Sequence, residues 1–246
     1  MISIVIPYLE RLGVDGSEEL RYALRAWDRH AKFDYEVILV GDKPKWFNGI
    51  CIEMSPIRGF NYARAFDITK KLKVICACKE ITDDFIYTYD DIYPVKDLTL
   101  SDATKVISTG VFNKRRPKLG GSKKWNRLFM NTVEHLEDLP TIYGYETHLP
   151  RPLNKEKLAQ LIYDFELEVN PLLFSTLYYN QYVNRPDLIL NDKMPFRRWV
   201  KAPSKEIVGR QITKHTQYLN TQEGGWKHGV SEYFATYYSD KCRWEL

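Results

Sequence analysis

The sequence contains little cysteine and no long hydrophobic run. Its four cysteines are Cys51, Cys76, Cys78 and Cys242, and their spacing does not match the paired cysteines of a structural zinc site. No apolar segment approaches the roughly 20 residues that a membrane-spanning helix requires. The apolar residues 2–6 lack the basic flank and cleavage site of a signal peptide. We therefore expect a soluble, cytoplasmic protein with reduced thiols and no membrane partner.

Internal repeats, low-complexity tracts and a large net charge are also missing. The net charge is +4 over 246 residues, and the fractions of hydrophobic and charged residues, 44% and 28%, are typical of globular proteins. A fibrous or disordered chain is therefore excluded. A chain of this length is sufficient for one sizeable α/β domain, and we expect a single domain over residues 1–246.

Basic residues are concentrated in two stretches of the chain. The first has no acidic residue and contains Lys114, Arg115, Arg116, Lys118, Lys123, Lys124 and Arg127. The second is interrupted only by Glu206 and contains Lys193, Arg197, Arg198, Lys201, Lys205, Arg210 and Lys214. Such stretches suit a phosphate-bearing partner, either a nucleotide diphosphate or a nucleic-acid backbone. The alternative is a solvated basic face, which is the commoner role of such charge runs.

The first hundred residues alternate between strand and helix patterns. Strands are predicted at residues 2–6 (ended by Pro7), 35–40, 50–54 and 84–89. Helices are predicted from Ser17, with Leu20, Leu24, Trp27 and Ala31 on one face, and at residues 61–79. Alternation of this kind favours an α/β fold with a mostly parallel central sheet flanked by helices.

The pattern changes near residue 100. The Gly-, Pro- and Lys-rich residues 114–127 indicate a mobile loop. Asn154 is expected to cap a helix that carries Leu158, Leu161, Ile162, Phe165 and Val169, and a second helix is expected around Leu173, Leu177 and Tyr178. Residues after Asp192 show no clear period, so we expect a helical and irregular C-terminal part.

Polar residues follow three of the predicted strands where each strand ends. These are Pro7 and Tyr8, Gly41 and Asp42, and Tyr89-Asp90-Asp91. Ligands of parallel sheets bind beyond the carboxyl ends of the strands, so we expect these residues to lie at one edge.

Asp90 and Asp91 form the strongest candidate for chemistry. Adjacent carboxylates repel each other unless a cation or hydrogen bonds compensate. A hard divalent ion that also binds a diphosphate would compensate them and neutralise a leaving nucleotide. The alternative is an ordinary polar turn, because aspartate is common where strands end.

Further candidates lie outside this strand. Residues 145–150 contain Glu146, a possible base, and His148, a possible metal ligand or phosphate contact. Asp192 is a second candidate base, although with Lys193 it also matches an exposed ion pair. Asp164 is a third. Trp125, inside the first basic stretch, is suited either to stack on a base or to pack internally.

Several of these segments together resemble a known class of enzymes. Residues 4–8, 37–42 and 85–91 resemble the nucleotide-sugar domain of GT-A-type glycosyltransferases. More narrowly, residues 19–25, 147–150, 154–156 and 175–180 resemble a group of small bacteriophage and bacterial glycosyltransferase-like proteins. His148-Leu149-Pro150 before a Lys-Glu helix also resembles the Stealth sugar-phosphate transferases. The resemblance covers about residues 1–195. It departs from the nearer group at Tyr89, where that group has asparagine before the two aspartates.

The resemblance implies a GT-A, Rossmann-like fold and a nucleotide-sugar donor, expected to be a UDP-sugar. It also implies Mn²⁺ or Mg²⁺ on Asp91, a metal or ribose contact for Asp90, and a position near the metal or diphosphate for His148. Pro7, Tyr8 and Asp42 would line the base and ribose pocket. Residues 1–100 would form the donor half and residues 101–246 the acceptor half. From the basic stretch, independently of the resemblance, we expect Lys118, Trp125 and Arg127 to contact the substrate. Asp192, Glu146 and His148 are the catalytic candidates.

Three functions remain open at this stage. The first is glycosylation of hydroxymethylated bases in phage DNA, within the host cytoplasm, which the basic stretches favour. The second is sugar or sugar-phosphate transfer to a cell-surface polysaccharide, which the residues around His148 favour. The third is a non-catalytic nucleic-acid-binding module, which would need the basic residues but not Asp90 and Asp91.

Overall fold

The computed structural model describes residues 1–10, 16–112, 122–190, 196–199, 204–212, 216–221, 225–226 and 229–246. The elements of the first part are β1 (Ile2–Tyr8), α1 (Gly16–His30), β2 (Tyr35–Gly41), β3 (Ile50–Glu53), α2 (Ala63–Ala77), β4 (Asp84–Tyr87), β5 (Ile92–Pro94) and α3 (Leu100–Ala103). Those that follow are β6 (Ile107–Ser108), β7 (Gly110–Val111), α4 (Lys123–Glu134), β8 (Tyr143–Gly144), β9 (Arg151–Asn154), α5 (Lys155–Asp164), α6 (Phe174–Tyr182), β10 (Leu188–Ile189), β11 (Phe196–Trp199), α7 (Lys205–Gln211), β12 (Tyr218–Thr221) and α8 (Gly229–Tyr237).

The central sheet has five strands in the order β3-β2-β1-β4-β9. The first four are parallel, and β9 joins the edge antiparallel to β4. Strands β1 and β2 are continuous apolar runs because both of their faces are covered: Val5 and Ile38 pack in one core cluster, and Ile4 and Val37 in the other. The prediction of an α/β fold with a mostly parallel central sheet flanked by helices is thereby confirmed.

The sequence suggested that Pro7 ends the first strand, and this prediction is wrong. Strand β1 continues to Tyr8 and pairs with β2 as far as Gly41. On its other side β1 pairs with β4 only as far as Val5. Among the described residues, β1 thus has a strand neighbour on one side only at Pro7, and such a position tolerates the missing backbone N–H.

Two helix boundaries also differ from the prediction. Helix α2 begins at Ala63 rather than near Asn61, because Tyr62 adopts the left-handed conformation with φ 61°. Helix α5 begins after the expected Asn154 cap, whose side chain accepts a hydrogen bond from the Lys157 backbone. It ends at Asp164, however, and Val169 is 68% exposed instead of lying on its buried face.

The chain after residue 100 contains more regular structure than the sequence indicated. Lys123 to Arg127 form the first turns of α4, capped by Ser122, so this part of the predicted loop is helical. Near the C-terminus, β12 pairs with β5, directly after the Asp-Asp element, and β11 pairs with β12. The last residues return to the first half of the chain, where Glu245 accepts two hydrogen bonds from Arg25. Strand β12 is therefore positioned to contact the carboxyl end of β4.

Candidate functional site

The strand order places a crevice at the carboxyl edge of the sheet. The chain passes from β1 through α1 to β2 and β3 on one side, whereas β4 pairs on the other side of β1. A parallel sheet opens a ligand crevice where neighbouring strands connect in opposite directions. Here that point lies between β1 and β4, at Tyr8 on one strand and the residues after Tyr87 on the other. Asp90 and Asp91 follow β4 at this edge.

Asp91 is held by the C-terminal strand β12. Its backbone carbonyl accepts hydrogen bonds from the Asn220 side chain at 3.1 Å and from the Thr221 backbone at 3.3 Å. The Thr221 hydroxyl in turn donates to the buried carboxylate of Glu19 on α1 at 2.8 Å. The hydroxyl groups of Thr221 and Tyr93 are 3.2 Å apart. One strand thus connects the Asp-Asp element to the first helix.

The Asp91 carboxyl group lies in a negative environment. Burial, followed by the charges of Asp90 and Glu19, raises its pKa from 3.8 to about 7, against a smaller lowering by the Asn220 hydrogen bond. A cation in this position would remove the repulsion between the carboxylates. The electrostatic condition that favours a divalent ion is therefore present at Asp91.

The described residues contain no group of three His, Cys, Asp or Glu side chains arranged to hold a metal ion. Asp90, Asp91 and His148 consequently do not form a joint ligand set in this structure. Two carboxylates still fit Mg²⁺ or Mn²⁺, because such ions are commonly held by one or two carboxylates together with substrate phosphates and water. The donor set at Asp90 and Asp91 is compatible with an ion that arrives with a diphosphate.

A buried arginine lies beside this element. Arg151, at the start of β9, is 3% exposed and pairs with Tyr87 in the sheet. It donates hydrogen bonds to the Tyr89 hydroxyl at 3.1 Å and to the Ser175 hydroxyl at 2.6 Å. Its guanidinium is also 3.8 Å from the Glu146 carboxylate. Arg151 therefore fixes Tyr89, the residue directly before the two aspartates.

The expected site residues Glu146 and His148 both lie near Tyr89. Glu146 accepts a hydrogen bond from Thr176 at 3.2 Å in addition to its pairing with Arg151. The His148 ring centroid is 6.0 Å from that of Tyr89. His148 has φ 49°, a left-handed backbone that costs a non-glycine residue of the order of 1 kcal/mol and that is frequent at functional sites.

The expected base and ribose contacts lie at the ends of β1 and β2. The Asp42 backbone donates to the Tyr8 carbonyl at 3.2 Å, and the Asp42 carboxylate accepts a hydrogen bond from the Glu10 backbone at 2.7 Å. A side chain at Gly41 would place its Cβ 2.0 Å from the Tyr8 carbonyl oxygen, so only glycine allows this approach. The Tyr8 ring is buried, whereas Pro7 and Asp42 are partly exposed.

The acceptor-side residues are only partly described. Arg127 is exposed on α4, and Trp125 stacks on Phe129 with ring centroids 5.3 Å apart, as expected for a packing role. Lys205 and Arg210 lie on α7. Other predicted residues fall outside the described ranges: Lys114, Arg115, Arg116, Lys118, Asp192, Lys193, Lys201 and Lys214.

Sequence reasoning missed Glu19, Arg151, Asn220 and Thr221. Glu19 lies in the first turn of α1, where an acidic residue is ordinary, and its position two turns before the buried Trp27 is the one available signal. Arg151 and the two β12 residues carry no signal, since their roles depend on strand pairings between distant segments.

No protein-family model matches this chain, and none of the curated proteins compared with it shows significant similarity. None of the described helices combines the length and the apolar character required to cross a membrane.

Proposed function

We propose that the chain is a GT-A-type glycosyltransferase that uses a nucleotide-sugar donor, a UDP-sugar, together with Mn²⁺ or Mg²⁺. The observation that supports this most is the position of Asp90 and Asp91 at the carboxyl edge between β1 and β4, where parallel sheets bind nucleotides. The negative environment of Asp91 adds a reason for a cation at this place.

In this proposal the residues at the edge have distinct roles. Asp91 and Asp90 hold the ion, which when bound supplies charge neutralisation for the departing nucleotide. Pro7, Tyr8 and Asp42 contact the base and ribose, with Tyr8 acting through its backbone because its ring is buried. Arg151 keeps Tyr89, and with it the aspartates, in position.

The acceptor base is proposed from Glu146, His148 and Asp192. Asp164, the further candidate from the sequence, is exposed on α5 and accepts a hydrogen bond from Gln160. Glu146 is already engaged by Arg151 and Thr176, so its carboxylate oxygens are occupied by contacts inside the protein. His148 is near Tyr89 and suits a contact to the diphosphate. Asp192 lies outside the described residues, and we prefer it as the base because the other two candidates already have these contacts.

We propose DNA carrying hydroxymethylated bases, as in phage genomes, as the acceptor. The exposed basic residues Lys123, Lys124 and Arg127 on α4 support an acceptor with a phosphate backbone. A cell-surface polysaccharide is the alternative acceptor, favoured by the sequence around His148. A non-catalytic nucleic-acid-binding module is the other alternative, favoured by the lack of a complete metal-ligand group among the described residues.

The decisive experiment is a panel of nucleotide sugars with and without Mn²⁺. A ligand that binds only the native state raises the unfolding temperature, by an amount that corresponds to RT ln(1 + [L]/Kd). We expect stabilisation by one UDP-sugar that requires Mn²⁺ and is lost in Asp91→Asn. Stabilisation by no nucleotide sugar, at concentrations up to several millimolar, would refute the proposal and leave the nucleic-acid-binding module.

A further inference from the structure

Two basic helix ends meet on one face of the molecule. The Lys124 ammonium on α4 lies 5.1 Å from the centroid of the Tyr62 ring, which directly precedes α2. This contact brings the segment from Arg58 to Arg64 beside the start of α4. We name this face the α2–α4 surface and define it by Arg58, Phe60, Tyr62, Arg64, Lys123 and Lys124.

The α2–α4 surface has an excess of positive charge. Residues 55–73 contain five basic residues and one acid, Asp67. That acid is buried and is paired with Lys71 at 2.8 Å, so it compensates a neighbour inside the protein. Arg58, Arg64, Lys123 and Lys124 are exposed, and no ion pair joins any of them to a described residue. Their charges are available to an anionic partner.

The same surface exposes an aromatic ring next to a groove. Phe60 is 55% exposed, and its ring centroid is 5.7 Å from that of Phe66. Both rings line a groove of about 550 Å³, together with the apolar residues Ile57 and Val74 and the cations Lys70 and Lys73. Glu168 also lines the groove, and its carboxylate pairs with Lys73 at 2.6 Å. A flat aromatic group attached to a phosphate matches the rings and Lys70, which has no acidic partner among the described residues.

The α2–α4 surface adjoins the carboxyl edge of the sheet. Strand β3 ends at Glu53 beside Gly41 at this edge, and α2 begins ten residues later at Ala63. Burial raises the pKa of the Tyr87 and Tyr89 hydroxyls, and the nearby charge of Arg64 slightly opposes that rise. A polymer bound across the start of α2 would therefore reach the crevice that we assign to the donor.

We propose that the α2–α4 surface binds single-stranded nucleic acid, with an unstacked base against Phe60 and the backbone phosphates on Arg58, Arg64 and Lys124. Rings that are exposed beside cations are the usual means of holding unpaired bases. The inference deepens the proposed function, because this surface would hold a DNA acceptor whose target base has left the duplex.

The test measures binding of a fluorescent single-stranded oligodeoxynucleotide by anisotropy at several salt concentrations. The variant is Arg58→Glu with Lys124→Glu. Its matched control, Lys79→Glu with Lys157→Glu, makes the same change of charge at the opposite edge of the sheet, where Lys155 contacts Cys78 and Asn154 contacts Asp84. We expect at least tenfold weaker binding in the variant only. The salt dependence should fall by about 1.4 in log–log slope for two lost phosphate contacts. Equal loss in both variants would overturn the proposal.

Phe60→Ala tests the stacked base separately from the charges. Single-strand affinity should fall by at least about fivefold, whereas affinity for a duplex of the same sequence should change by less than twofold. An equal effect on both, or no effect on the single strand, would overturn the assignment. So would binding of dextran sulfate that is as tight as that of the oligonucleotide and insensitive to Phe60→Ala, because the surface would then recognise anionic polymers generally.

The outcomes separate this inference from the proposed function. The nucleotide-sugar stabilisation should persist in every one of these variants, since none of the substituted residues belongs to the donor site. Single-strand binding without any donor binding would retain the surface and refute glycosyl transfer. Donor binding without single-strand binding would retain glycosyl transfer and refute nucleic-acid binding at the α2–α4 surface.

Discussion

The Thr221 hydroxyl donates a hydrogen bond to the Glu19 carboxylate at 2.8 Å, across 202 residues of sequence. Both side chains are buried, and the Thr221 backbone also donates to the Asp91 carbonyl. This bond therefore connects the first helix, the C-terminal strand β12 and the Asp-Asp element. A buried carboxylate next to two others depends on such donors, because a buried acceptor without a partner is costly.

Replacing Thr221 with valine should destabilise the fold. The substitution preserves shape but removes the donor to Glu19, and we expect a loss of about 1–3 kcal/mol in the free energy of unfolding. Urea denaturation measures this. Thr236→Val is the control, because its hydroxyl bonds an exposed helical carbonyl and its loss should cost less than about 0.5 kcal/mol. Equal losses for the two variants would show that the Thr221–Glu19 hydrogen bond contributes no more to the unfolding free energy than the exposed bond of Thr236.

The N-terminal half of the fold could be predicted because its information is local. The apolar runs of β1, β2 and β4 and the helical face of Leu20, Leu24 and Trp27 all appear in the sequence at the correct periods, and these side chains are buried. The residues at the carboxyl edge could be predicted from the positions at which the predicted strands end. The position of Asp90 and Asp91 at this edge could therefore be predicted from the sequence.

The remainder could not be predicted because it depends on pairing between distant segments. Strand β12 contains four buried residues, but its position beside β5 follows from contacts with Asp91 and Tyr93 that no local pattern shows. Arg151 resembles an ordinary surface arginine until β9 pairs with β4 and α6 brings Ser175 against it. Its burial is a tertiary property, and so is the positioning of Tyr89.

The stability of the metal-free protein should depend on pH through Asp91. Burial, Asp90 and Glu19 raise the pKa of Asp91 from 3.8 to about 7, so the folded protein keeps a proton that the unfolded chain releases near pH 4. The unfolding free energy of the wild type, relative to Asp91→Asn, should therefore fall between pH 4 and pH 7 and remain constant above. Urea titrations in excess chelator measure it. A difference that does not vary with pH would contradict the raised pKa of Asp91.

The metal assignment predicts a separate effect on activity. Asp91→Ala should abolish sugar transfer in the presence of Mn²⁺ and leave the fold intact, because a carboxylate at a strand end contributes to charge neutralisation more than to packing. The measurement is turnover with the UDP-sugar that stabilises the wild type, with circular dichroism as the check on folding. Near-normal turnover would remove Asp91 from the metal site.

The two carboxylate bases can be distinguished by matched amide substitutions. Asp192→Asn should slow transfer by at least about 100-fold, the loss expected for a general base. Glu146→Gln should slow it by less than about tenfold, because Glu146 is engaged by Arg151 and Thr176. The reverse ranking, with a large loss for Glu146→Gln at unchanged stability, would make Glu146 the base.

His148 allows strain and chemistry to be measured on the same residue. Its backbone has φ 49°, a conformation that glycine adopts without cost. The unfolding free energy of His148→Gly should therefore equal that of His148→Ala or exceed it by up to about 1 kcal/mol, as measured by urea denaturation. If the imidazole contacts the diphosphate beside Tyr89, both variants should slow transfer by tenfold or more. Measuring stability and turnover on the same pair separates the two effects. A fall in turnover of less than about threefold in both variants would leave His148 with a backbone role only, because neither substitution retains the ring.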